Sequence, residues 1–259
     1  MWPMYDDIYR DWLDVYDLQH DTLPDAGFYV ELARHLGFTP GDLILELGCG
    51  TGRLLAPLVA KGYRVVGVDR EVAALDKARE RLTPWLPRVQ LVQADMRSFT
   101  LSDHISFVFA GLNTLMHLAT PDDQLACLRA ARRCLKDDGV FVIDLQNPLS
   151  FLHDSDGDVA RHRFTGHDPR SGDTIMQFSL ETLDAAAQRV DLTVITDSIA
   201  ESGVVTRRLA SLSLRLCFRF ELEALLRCCS FALDACYGNY DLDSYTADSP
   251  RLICVARAI

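Results

Sequence analysis

The stretch Ile44-Leu45-Glu46-Leu47-Gly48-Cys49-Gly50-Thr51-Gly52 decides how this chain folds. An apolar run holding one acid breaks into three glycines at alternate positions. A short, nearly continuous apolar run reads as a strand buried on both faces, the kind found inside parallel sheets. Glycine reaches positive φ cheaply and puts no side chain between the backbone and a ligand. Residues 53–61 then carry a helical apolar pattern. A ligand over the turn would meet the N–H groups of a helix N-terminus, which is the layout of a nucleotide-type cofactor site.

The same rhythm continues outward. Strands are predicted at 43–47, 64–69, 89–93, 105–110 and 140–145. Helices are predicted at 52–60, 71–83 and 122–136, the last stopped by Asp138-Gly139. Strands alternating with helices make a parallel, doubly wound α/β sheet, with ligands beyond the C-terminal strand ends where strand order reverses. Upstream, Tyr5, Ile8, Tyr9, Trp12, Leu13 and Tyr16 recur at helical spacing opposite a run of aspartates. A second helix is expected over 24–36, capped by Gly37.

After Pro148 the pattern changes. Strands are predicted at 158–164, 174–183, 189–198 and 204–216, joined by turns such as Pro169-Arg170-Ser171-Gly172-Asp173. Alternation of polar and apolar residues marks an antiparallel meander with one wet face. A helix at 221–229 and a final strand pair at 231–237 and 251–258 follow. The expected organisation is a core with N-terminal helices over 1–150, an antiparallel insertion over 151–218, and a return to the core over 219–259.

At 259 residues, with 49% hydrophobic and 24% charged residues, the chain can build a full core. Its net charge of −11 repels phosphate backbones and anionic membranes, which argues against nucleic acid or membrane partners. No secretory leader pattern opens it and no apolar run reaches membrane-spanning length. The eight cysteines show no ligand spacing, so no metal is expected and a reducing, cytoplasmic compartment fits.

Three acids bear on the cofactor. Asp69 closes the second strand, where a carboxylate can accept both hydroxyls of a ribose diol. Asp95 and Met96 follow the third strand, and suit an adenine's exocyclic amine and its flat apolar face. A dinucleotide dehydrogenase would carry G-x-G-x-x-G instead, and has less need of the third-strand acid. Plain structural roles stay open for each: a turn carboxylate for Glu46, a helix N-cap for Asp69, a loop acid for Asp95.

Together these residues resemble the class I S-adenosylmethionine-dependent methyltransferases. The resemblance covers nearly the whole chain: Glu46-Leu-Gly-Cys-Gly-Thr-Gly52, Asp69, Asp95, Phe109-Ala110-Gly111-Leu112-Asn113 and the final strand pair. It implies a Rossmann-like seven-stranded sheet with the insertion after the fifth strand, and S-adenosylmethionine as cofactor. It implies that Gly48, Gly50 and Gly52 hold the methionine part, Asp69 the ribose and Asp95 the adenine amine. Glu46, Cys49, Arg70, Met96, Leu112 and Asn113 complete the expected cofactor site.

The insertion and the N-terminal segment resemble those of small-molecule enzymes, with sugar-amine and glycine N-methyltransferases nearest. A small-molecule acceptor and a monomer or homodimer are expected. The Asn/Asp-Pro-Pro-Tyr motif of nucleobase-amine methylation is absent, and Asn147-Pro148 on the fifth strand is no substitute. His117, just past the fourth strand, is the candidate general base, since imidazole titrates in the right range. A His in a similar segment of sugar-amine relatives faces the transferred methyl. Tyr5 and Tyr9 are candidates for a lid helix over the cofactor. Two alternatives remain at this stage: a cofactor-binding protein without turnover, and an NAD-type oxidoreductase.

Overall fold

Five strands run parallel: β1 Leu43–Leu47, β2 Arg64–Asp69, β3 Val89–Gln93, β4 Ile105–Ala110 and β5 Leu135–Gln146, with β1 and β4 buried throughout and β3 only half-buried. The structure is a computed structural model and describes residues 13, 15–20, 24–102, 104–154 and 159–259. Helices α1 Asp25–His35, α2 Leu55–Ala60, α3 Val72–Leu82 and α4 Pro121–Cys134 accompany the strands. The insertion supplies β6 Arg161–His167, β7 Thr174–Asp184, β8 Arg189–Ile199 and β9 Val205–Arg215. Helix α5 Arg219–Arg227 leads into β10 Phe231–Tyr237 and β11 Arg251–Ala258.

The main sheet runs β10-β11-β5-β4-β1-β2-β3. β1 pairs in parallel with both β2 and β4, while β11 runs antiparallel to β5 and β10. From β1 the chain winds one way to β2 and β3, then returns to the other side for β4 and β5. The reversal lies between β1 and β4, and their C-terminal ends are where such sheets bind ligands. The doubly wound, seven-stranded Rossmann-like sheet with an antiparallel insertion is therefore the fold observed.

The core follows from this layering. Ile44, Val65, Phe107, Phe109, Val140 and Val142 of the sheet meet Tyr29 and Leu32 of α1, Leu55 and Leu58 of α2, and Leu75 and Leu82 of α3. Each large apolar side chain so buried contributes about 1.5–3 kcal/mol. Tyr29 stacks on Phe109 at 4.3 Å between ring centres, which seats α1 against β4.

Of the boundaries that differ from expectation, three have a clear local cause. The helix predicted from 52 begins at Leu55, because Gly52 has φ +73° and a left-handed residue interrupts a right-handed helix. The helix predicted to 136 ends at Cys134, because Leu135 pairs with Ile105 and joins β5. The strand predicted at 158–164 runs Arg161–His167, because Asp168 N–H bonds the Asp173 carbonyl (2.9 Å) and closes the turn one residue past His167.

The chain divides into two compact units. One holds residues 24–150 and 217–259, including the whole seven-stranded sheet. The other holds the insertion to residue 216 and the N-terminal residues to 23, of which 15–20 are described and helical, with Tyr16 stacked on His20. Its four strands form one sheet in the order β6-β7-β8-β9, every pair antiparallel. The buried positions of β7 are Ile175, Gln177, Ser179 and Glu181, three polar residues where the usual pattern places apolar ones. They are bonded locally, as buried polar groups require. Gln177 Nε2 donates to Thr196 Oγ1 (3.2 Å), Arg163 Nε donates to Ser179 Oγ (2.6 Å), and Arg163 forms an ion pair with Glu181. Among the described residues no helix is long and apolar enough to cross a membrane.

Candidate active site

The glycine turn leaves β1 at the sheet's reversal point. Gly48, Gly50 and Gly52 all have positive φ, at +68°, +52° and +73°. Two of these glycines answer to different neighbours. A Cβ on Gly48 would stand 2.6 Å from Thr114 Cγ2, so glycine there lets the β1 turn and the β4 exit approach closely. A Cβ on Gly50 would meet nothing within 4 Å among the described residues; with respect to them the space over Gly50 is open.

The N–H donors of the three glycines and of Cys49 are taken. Gly48 and Cys49 N–H donate to the Val68 carbonyl, Gly52 N–H to the Cys49 carbonyl, and Gly50 N–H to Asp69 Oδ2 (2.8 Å). With α2 starting only at Leu55, the helix end stands three residues past Gly52, and at Gly50 the turn itself offers a ligand clear backbone and room. Cys49 points away into the sheet. Its thiol occupies the space a side chain at Gly67 would need, 2.6 Å from that Cβ position, and burial pushes it well above the usual thiol range.

Three carboxyl groups surround the turn. Glu46 is buried in β1, and its Oε2 has no hydrogen-bond partner among the described residues. Burial raises its carboxyl well above the usual range, Arg53 pulls it down, and Asp69 and Asp25 push it further up. Asp69 accepts Gly50 N–H on Oδ2 and Glu71 N–H (2.9 Å) on Oδ1, so it braces the turn, while the N-cap of α3 is Glu71 and the helix-cap role for Asp69 falls away. Desolvation still raises it above its ordinary value. A carboxylate has about four acceptor sites, so roughly two stay open for a diol. Arg53, just past the turn, forms a buried double bond with Asp25 of α1 at 2.8 and 2.5 Å.

Asp95 follows β3 as expected but carries a partner the sequence does not advertise. Arg97 donates to it through Nε (3.0 Å) and Nη2 (2.6 Å), and through Nη1 to Asp123 (2.7 Å). That guanidinium holds the Asp95 carboxyl below its usual value. Met96 sits beside it, half-buried. Arg70 is exposed and pairs with Glu71 at 3.1 Å.

The β4 exit is built differently. Leu112 and Asn113 both have positive φ, +45° and +70°, though neither is glycine. Thr114–His117 then forms one 3-10 turn. Its start is fixed by Thr114 Oγ1 donating to the Gly111 carbonyl (2.8 Å) and by Met116 N–H donating to the Asn113 carbonyl (2.8 Å). His117 has a partly exposed ring that is nonetheless surrounded by protein atoms. Burial first, and the Arg70 charge second, together lower its pKa from 6.5 to about 4. The imidazole is therefore neutral at neutral pH.

Sequence reading missed the residue that organises this exit. Asp144 of β5 is fully buried and accepts from Tyr29 Oη, Tyr240 Oη and Arg251 Nε at 3.0, 3.0 and 2.8 Å. An acid inside the apolar run 140–145 was the available signal. Asn147 is structural: its Nδ2 donates to the Ala247 and Ser249 carbonyls. His162 and His167 bond Thr165 and Thr174 within the insertion, and among the described residues no cluster of three ligating side chains could hold a metal. Tyr5 and Tyr9 lie outside the described residues.

A family model described as a methyltransferase domain matches residues 44–139, from β1 into β5. The cypemycin N-terminal methyltransferase of a Streptomyces species is 26% identical over 245 residues, 94% of each chain. The solved structure of the CcbJ methyltransferase from Streptomyces caelestis is 28% identical with a TM-score of 0.85, covering 98% of this chain and 99% of that one. The chain carries a methyltransferase domain, and its cofactor is S-adenosylmethionine.

The fold of CalS10 from Micromonospora echinaspora, an amino pentose methyltransferase solved with the cofactor bound, matches at a TM-score of 0.74 and 21% identity over 100% of this chain and 98% of that one. The methyltransferase domain sets the NAD-type oxidoreductase aside. The methyltransferase's own residues suit S-adenosylmethionine. The open space at Gly50 admits a ligand against the backbone, the orphaned buried oxygen of Glu46 suits a cationic group, and Asp69 keeps acceptor capacity at the end of β2.

Proposed function

We propose that this methyltransferase alkylates a nitrogen or oxygen of a small-molecule acceptor, with His117 receiving the acceptor's proton. One observation carries the reading: a neutral, enclosed imidazole stands in the turn after β4, at the same reversal point as the glycine turn after β1. The cypemycin enzyme and CalS10 are named for amino acceptors, which favours nitrogen.

Bound S-adenosylmethionine supplies a methyl group on a sulfonium, an already good leaving group. The protein's share is alignment, which can contribute up to about 7–11 kcal/mol in favourable cases. Gly48, Gly50 and Gly52 with Cys49 backbone hold the methionine part, Glu46 faces its charge, Asp69 holds the ribose diol, and Asp95 with Met96 holds the adenine. Leu112, Asn113 and Arg70 close the site's edge. His117 accepts an N–H or O–H and so points the acceptor's lone pair at the methyl carbon. It takes the proton as the new bond forms, a contribution of about 10²–10⁴-fold in typical general-base catalysis. The strong negative charge fits small molecules rather than nucleic acid, and the eight free thiols fit a reducing cytoplasm. A monomer or homodimer suffices for this chemistry.

The test is a panel of amine- and hydroxyl-bearing small molecules incubated with labelled S-adenosylmethionine, following S-adenosylhomocysteine release. Methyl transfer to an amine is the expected result, with His117→Ala reducing turnover more than cofactor affinity. The low basicity of His117 favours a second reading, cofactor binding without turnover. Tight cofactor binding with no transfer across the panel would select it.

A further inference from the structure

We propose that Asp144 is the positioning residue of the active site: its carboxylate, gripped by Tyr29, Tyr240 and Arg251, holds the β4 exit in the left-handed backbone that delivers His117. The proposal rests on the methyl-transfer reading, through the role given there to His117.

Asp144 has no exposed surface and sits between Ile143 and Leu145, both fully buried. Such a strand position normally takes an apolar side chain. A buried Asp–Arg pair is weak grounds for stability, because desolvating both charges offsets their attraction. What the carboxylate does have is an unusual convergence of donors. Oδ2 accepts from Tyr29 Oη (3.0 Å), Tyr240 Oη (3.0 Å) and Leu112 N–H (3.4 Å), and Oδ1 accepts from Arg251 Nε (2.8 Å). The donors come from α1, the loop 238–250, the β4 exit and β11. Both oxygens of Asp144 are engaged as acceptors.

Two further bonds tie the same strand to the exit. Asn113 N–H donates to the Asp144 carbonyl (3.0 Å), and Gln146 N–H donates to Asn113 Oδ1 (2.5 Å). Leu112 and Asn113 are thus pinned to β5 at each end of their left-handed pair. A non-glycine residue there costs about 1–3 kcal/mol and persists only where surroundings over-determine it. Here Asp144 supplies that over-determination, through its side chain to Leu112 and its main chain to Asn113. From Asn113 the 3-10 turn runs directly to His117, so the direction of the imidazole is inherited from the grip on residues 112 and 113.

The test follows the His117 imidazole by nitrogen-15 NMR across pH in the parent, Asp144→Asn and Tyr240→Phe proteins, with His117→Gln assigning the signal. The parent should titrate near 4. In Asp144→Asn the midpoint should rise by about one pH unit or more as the enclosure of the ring loosens, and Tyr240→Phe should move it the same way by less. A His117 midpoint and chemical shift unchanged in both variants, with only melting temperature lowered, would overturn the proposal and leave Asp144 a plain stabilising residue. If Asp144→Asn does not fold, Tyr240→Phe, which removes one half-buried hydroxyl, decides alone. Calorimetry of S-adenosylmethionine on the parent is separate. Absence of binding would sink the methyl-transfer reading, while the titration would still report on Asp144.

Discussion

Two turns face the reversal point of the sheet, and they reach left-handed backbone by opposite means. The turn after β1 uses glycines, so its conformation is nearly free and its information is local. The exit after β4 uses Leu112 and Asn113, and is held by bonds to Asp144 and Gln146 more than thirty residues away. A site can thus have one wall specified by its own letters and another specified by the rest of the fold. The first wall has room over it; the second carries the imidazole.

Substitutions can separate the two. Gly50→Val puts a branched side chain into the open space and should weaken S-adenosylmethionine binding by about 100-fold or more, at a folding cost of about 1–2 kcal/mol. Calorimetry with a parallel melting curve checks both numbers, and retained affinity would mean the cofactor lies elsewhere. Asp69→Ala should weaken binding by about 10–100-fold, the worth of charged hydrogen bonds at roughly 1.5–3 kcal/mol; an unchanged dissociation constant would remove Asp69 from the ribose site.

On the distant wall the response should be structural first. Asn113→Ala loses the Gln146 bond and leaves that buried donor unmatched, so chemical denaturation should show a loss of about 1–3 kcal/mol. Leu112→Gly should change stability by less than about 1 kcal/mol, because relief of strain and added unfolded-state freedom oppose each other. A large loss there would show that the Leu112 side chain, not the long-range grip, holds the exit.

The last effect is in pH. His117 is lowered in the fold from 6.5 to about 4, so on acidification the unfolded chain takes up its proton first. Its contribution to stability is complete above about pH 6.5 and is lost as pH falls toward 4. His117→Asn should flatten the stability profile in that window relative to the parent; superimposable profiles would contradict the buried, neutral imidazole.

The same contrast explains what the sequence could reveal. Strand and helix order was legible because apolar periodicity is local, and the glycine turn and Asp69 because spacing alone places them. The Asp95–Arg97–Asp123 chain was not, since Asp123 lies 26 residues from Arg97 and only α4 brings it near. Asp144 stood out as an acid among apolar residues, but its partners Tyr29, Tyr240 and Arg251 are 115, 96 and 107 positions away. The insertion's strands were readable from alternation, yet its buried polar row of Gln177, Ser179 and Glu181 inverts the usual hydrophobic pattern. The helix start at Leu55 was misplaced because Gly52 looks like a helix opener in sequence and is a left-handed turn residue in space.

The hydroxyl of Tyr29 lies wholly inside the protein and donates to an acceptor that never meets water. Its proton can leave only when α1 lifts from the sheet, so its exchange with deuterium should be slow enough to give a separate downfield resonance. That one proton makes the enzyme its own clock for local opening: its lifetime reports how often α1 detaches from β4 and β5, with no label and no acceptor required.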